Sequence, residues 1–162
     1  MKIRNIAAAC AVAGLASTAF GTGASVVTPL IAGQHTVIGE VVCLMSTKTS
    51  GACAYDITAP GWCLTETHLY VGATLPRRAA PGQFPYQTSG GCATEVIIPF
   101  TLSDVGLAAC PASGSLVVMA HAVAANRLTR QAETAWGSGP RTGLGGWSMS
   151  FSLPCASASG GN

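Results

Sequence analysis

The sequence predicts an all-β chain, a single antiparallel β-sandwich stapled by disulfides, with a β-barrel as the alternative closure. Three observations carry this expectation. β-Branched and apolar segments of strand length are separated by Gly- and Pro-rich turns, twenty of the 162 residues being glycine. Strong helix formers are scarce, charged residues making up only 9% of the chain, and no amphipathic helical period stands out. Six cysteines follow an apolar leader, the even count expected of a disulfide framework in an exported domain.

The elements follow in order. Lys2 and Arg4 precede an apolar stretch over 6–19 and small residues through Ser25. This is the layout of a secretory signal peptide, 1–24, with cleavage after Ala19, Gly21 or Ala24, the last being preferred. The stretch is shorter than the ~20 residues a helical membrane span needs, so the mature chain carries no span. Residues 34–44 are β-branched and bounded by glycine, 47–51 supply turn residues, and 53–57 return, which predicts a hairpin. Cys43 and Cys53 then lie on adjoining strands and are expected to pair, although six cysteines allow fifteen connectivities. Cys63, Cys92, Cys110 and Cys155 make up the remaining disulfides.

Residues 62–71 alternate, placing Thr65, Thr67, Leu69 and Val71 on one face and Leu64, Glu66, His68 and Tyr70 on the other. A long loop over 72–91 follows, in which Pro76, Pro81 and Pro85 oppose regular pairing; it is either a functional loop or a cover sealing one edge of the sheet. Strands are expected over 95–102 and 116–125, with a turn at 110–114 between them. Residues 133–137, a Gly- and Pro-rich connection through Gly146 and an alternating strand over 147–153 complete a domain spanning 25–155. Residues 156–162, rich in Ser, Ala and Gly, read as a flexible tail.

The formal charge of +2 comes from Lys2 and Arg4 alone. Without the leader, Lys48, Arg77, Arg78, Arg127, Arg130 and Arg141 balance Glu40, Asp56, Glu66, Glu95, Asp104 and Glu133. No basic cluster exists to neutralise a run of phosphates, which excludes a nucleic-acid binder. Arg77 and Arg78 form the only basic doublet of this part of the chain, a solvated loop or else a processing or polyanion contact site.

Three segments in order, Glu-Thr-His-Leu-Tyr-Val-Gly at 66–72, Ala-His-Ala-Val at 120–123 and Glu-Thr-Ala-Trp-Gly at 133–137, resemble small β-rich domains of exported, largely uncharacterised microbial surface proteins. The likeness runs over roughly 32–153. It implies an exported β domain and no catalytic residue. The last strand departs from those domains by alternating Trp147, Met149 and Phe151 with serines, and the six cysteines are an elaboration.

Two candidate sites follow from the residues. Glu66, His68, His121 and Glu133 form a candidate metal or acid/base set, because two imidazoles and a carboxylate suffice to hold zinc or iron and leave a second carboxylate as base. Its spacing matches no compact metal signature, and a structural hydrogen-bond network is the competing expectation. Phe84 and Tyr86, flanking Pro85 in the long loop, are the candidate ligand-binding aromatics, whereas Trp62 and Trp136 are expected to pack. Gly-x-Ser-x-Gly elbows, calcium loops and phosphate-cradling glycine motifs are missing from the sequence. The expected function is therefore secreted and non-catalytic, with no cofactor: binding of an extracellular glycan or protein surface, or cell-surface or matrix assembly with self-association. A metal-dependent secreted enzyme at Glu66, His68, His121 and Glu133 is the alternative.

Overall fold

The computed structural model describes residues 24–155; the leader up to residue 23 and the tail 156–162 lie outside the described residues. Nine strands form one antiparallel sheet: β1 (Ser25–Ala32), β2 (Thr36–Met45), β3 (Ser50–Ile57), β4 (Trp62–Gly72), β5 (Tyr86–Ala93), β6 (Glu95–Thr101), β7 (Ser115–Asn126), β8 (Gln131–Gly137) and β9 (Phe151–Pro154). The order across the sheet is β5-β4-β7-β8-β1-β2-β3-β6. β7 is long enough to pair with β8 through its second half and with β9 through its first. The sheet rolls until its two edges nearly meet, as the barrel alternative describes. At the seam the Tyr86 hydroxyl of β5 lies 3.3 Å from both the carbonyl and the amide of Thr101 at the end of β6, donating to one and accepting from the other.

Alternation along each strand separates an inner from an outer surface. Leu30, Ile38, Val41, Tyr55, Leu69, Phe100, Leu116 and Leu153 fill the interior and are almost wholly shielded from water. In the second half of β7 the inward positions are Ala120, Ala122 and Ala124, and their small side chains leave room for the larger residues of facing strands. Tyr55 is completely buried, and its hydroxyl donates to the His68 carbonyl at 3.1 Å, which offsets the cost of taking a phenol out of water.

The disulfides follow the pairing. Cys43 and Cys53 are direct cross-strand partners with Cα atoms 4.1 Å apart, as the hairpin reading expects. Cys63–Cys92 ties β4 to the edge strand β5, and Cys110–Cys155 anchors the end of β9 to the segment before β7.

Three differences from the sequence expectation have physical causes. β1 lies in the stretch following the leader and was not expected as a strand; Pro29, which breaks its pattern, faces outward and is exposed. Residues 86–93 are strand rather than loop. Their side chains give no alternating signal, because pairing with β4 and the Cys63–Cys92 bridge hold them in place, and Gly90 and Gly91 adopt φ of 101° and 81°. On β4 a bulge between Leu64 and Glu66 shifts the phase, so Leu64 joins Thr67, Leu69 and Val71 inside and does not share a face with His68.

Candidate functional site

The outer surface of the sheet has two halves, and the chain treats them differently. Over β4, β7 and β8, the loop 73–85 folds back on the strands. Phe84 is 3% exposed and packs between Tyr70, at a ring-centroid distance of 5.7 Å, and Trp136, at 6.3 Å. Met119 completes this second apolar cluster, with Trp147 and Met149 of the 138–150 connection against its rim. The Gln87 amide donates to the carbonyls of Gly82 and Phe84, both at 2.9 Å, and so fastens the loop to β5. The loop is thus a cover, although it seals a sheet face rather than an edge.

Beneath this cover the register brings two imidazoles together. His68 and His121 are direct partners across β4 and β7, with their Nδ1 atoms 3.2 Å apart. Glu66, two residues before His68 on the same face, places Oε2 3.7 Å from His68 Nε2. That is an approach of charge without a hydrogen bond. On the far side Trp136, the β8 partner of His121, presents its ring at 4.7 Å. Burial, followed by the neighbouring His68, pushes the His121 pKa down to about 4. Burial also lowers His68, with Glu66 working in the opposite direction. Both rings are therefore neutral at neutral pH, and one Nδ1–H donates to the other Nδ1.

Of the four residues in the candidate metal set, three stand in a line and the fourth is elsewhere. Glu133 is the partner of Ala124, an inward position, and so lies on the opposite face from His121. Its carboxylate rests by the turn at Gly33, where a Cβ would lie 3.2 Å from Oε2. Glu66 meets the His68 nitrogen that faces away from His121, so the donors form a chain instead of surrounding a point. Among the described residues no group of three or more His, Cys, Asp or Glu is placed to hold a metal ion. Neither imidazole hydrogen-bonds a hydroxyl or thiol among them. The arrangement fits the hydrogen-bonded network expected as its competitor.

The expected ligand aromatics also need correction. Phe84 is buried in the second cluster, and Tyr86 turns inward against the main core with its hydroxyl at the seam, so neither presents an open ring face. The reason is local: Pro81 to Gln83 form one turn of 3-10 helix that swings Phe84 down onto the sheet. Trp62 and Trp136 pack as expected. Arg77 and Arg78 are exposed and border a shallow cleft of about 330 Å³ beside Tyr70 and Gln83.

The other outer half, on β1, β2, β3 and β6, is bare. The register aligns Val27, Val42, Ala54 and Ile97 as one row across four strands. Val27 is 57% and Ile97 60% exposed. One row along, Glu40, Asp56 and Glu95 are direct partners in the same way, so three of the chain's six acids stand side by side. Like charges at that spacing oppose one another. Among the described residues no Lys or Arg lies within 4 Å of a carboxylate, the one contact at that range being neutral His68 with Glu66, so no base neutralises this row. Sequence reading missed the surface because β1 gives no clear strand signal of its own, and only the register reveals that the outer residues of β1, β2, β3 and β6 fall into line.

The chain matches no protein-family model, no curated protein and no solved structure.

Proposed function

We propose that this chain is a secreted, non-catalytic extracellular domain that binds a protein partner in surface or matrix assembly, using the bare outer face of β1, β2, β3 and β6. The observation that carries this reading is the aligned row Val27, Val42, Ala54 and Ile97, whose ends stay more than half exposed while the opposite outer face is covered by the chain's own loop. Contiguous exposed apolar surface on a stable domain is characteristic of an interaction site. Three disulfides support an oxidising destination, consistent with the leader. The glycan reading loses its support with the burial of Phe84, and the zinc or iron enzyme loses its fourth residue with the placement of Glu133.

The test is retention of the labelled mature protein on washed producing cells or their extracellular matrix. Val27→Lys/Ile97→Lys should abolish retention while leaving the thermal unfolding midpoint within a few degrees of the parent, since both positions are exposed. Retention unchanged by this pair would overturn the reading.

A further inference from the structure

The partner's chemistry is readable from the face itself: an apolar row beside three unneutralised carboxylates calls for an exposed apolar side chain flanked by bases. The same chain carries that element. The β7–β8 hairpin presents Leu128, 77% exposed and the most exposed large hydrophobic residue among those described, between Arg127 and Arg130. Both arginines are exposed and lack an ion-pair partner within 4 Å among the described residues. The tip is held in shape for presentation: the Asn126 side chain accepts hydrogen bonds from the amides of Leu128 and Thr129 at 2.9 and 3.1 Å, and Arg130 sits at a φ of 61°.

We infer that the partner is a second copy of this chain, whose Arg127-Leu128-Arg130 hairpin docks on the apolar row with its arginines against Glu40, Asp56 and Glu95. The inference rests on the reading of that face as a protein-docking surface. The hairpin and the face are different surfaces of one molecule, so the contact is head-to-tail, and every bound copy offers a fresh hairpin or a fresh face to the next. Such a contact builds an open chain of subunits unless its geometry closes a ring. The near-neutral charge of the residues after the leader leaves little long-range repulsion to oppose it, and the arginine–carboxylate contacts should weaken with added salt.

Sedimentation velocity of the mature protein from about 1 µM to about 1 mM spans the range expected for weak to moderate protein contacts. The mass should rise beyond a dimer with concentration and fall as salt is added. Leu128→Lys and Ile97→Lys should each be monomeric, each removing one side of the contact. Mixed in equal amounts, the two should form a one-to-one heterodimer and nothing larger, because only one intact hairpin and one intact face remain. Arg127→Glu/Arg130→Glu, a purely exposed change, should raise the half-assembly concentration about tenfold or more without affecting folding.

A wild type monomeric throughout, a Leu128→Lys variant that assembles like the parent, or an equimolar mixture that stays monomeric would each overturn the inference. If the wild type is monomeric yet cell retention still requires Val27 and Ile97, the partner is another protein and the docking face stands. If retention is also indifferent to them, both readings fail.

Discussion

The imidazole pair makes acid stability a direct test of the structure. His121 has an ordinary value of 6.5 when the chain is unfolded and about 4 in the folded protein, where burial and the adjacent His68 oppose its charge. Between these values the unfolded chain binds more protons than the native one, so unfolding free energy falls as pH falls. The contribution of His121 is fully present above about pH 7 and is lost progressively on acidification. From the two values, the loss relative to pH 8 is about 2 kcal/mol at pH 5 and about 3 kcal/mol once the pH passes below 4. Urea unfolding with disulfides intact, followed by tryptophan fluorescence at pH 8, 7, 6 and 5, measures it. The comparison variant is His121→Gln, which keeps a polar partner for His68 but does not titrate. At pH 8 it should be less stable than the parent, by about 1–2 kcal/mol for the disturbed hydrogen bond and packing. By pH 5 the difference should vanish or reverse, because only the parent has lost the histidine contribution. The carboxylates act in both proteins, so the divergence of the two curves isolates His121. Parallel curves from pH 8 to pH 5 would refute the buried neutral pair.

Phe84→Ala should cost about 3–4 kcal/mol, since it empties a site between Tyr70 and Trp136, and should release the cover, so that trypsin cuts after Arg77 or Arg78 at a rate the parent does not show; unchanged proteolysis would mean that the loop is held by other contacts. Tyr86→Phe removes the hydroxyl at the seam while leaving the ring against the core, and should cost about 1 kcal/mol and speed amide exchange at Thr101 ahead of exchange in the β2–β3 pair; equal acceleration everywhere would point to global destabilisation instead of an opened seam.

How far the sequence discloses this structure depends on whether the information is local. β2 is readable because its β-branched residues run up to a turn from which 53–57 return as β3, and that hairpin puts Cys43 and Cys53 on adjoining strands, where the register makes them direct partners. The meeting of His68 with His121 was half readable: alternation puts Glu66 and His68 on one face, but only the β4–β7 register sets His121 opposite His68. Glu133 misled because its face is decided by a pairing, Glu133 with Ala124, that no local pattern encodes. The bulge at Thr65 and the strand over 86–93 were hidden for the same reason. Each is imposed by neighbouring strands and a disulfide on residues whose own preferences are weak.

The two outer halves of the sheet bear on function through their contrast. Where Tyr70, Met119 and Trp136 emerge on the outside, the chain spends two connections, 73–85 and 138–150, to shield them, and the buried imidazoles lie under that shield. On the opposite half it spends nothing, leaving Val27 and Ile97 open and setting Glu40, Asp56 and Glu95 in mutual repulsion without a base of its own nearby. An isolated domain gains from neither arrangement: the apolar row forfeits about 25 cal/mol for each Å² left in water, and adjacent carboxylates oppose folding. Both penalties are relieved by one event, the arrival of an apolar side chain carried between two arginines. The β7–β8 hairpin presents that combination, free of ion pairs among the described residues and braced by Asn126. A row that costs stability in the monomer and matches an unused element of the same sequence is what the proposed self-association calls for, with folding and association drawing on different faces of one sheet.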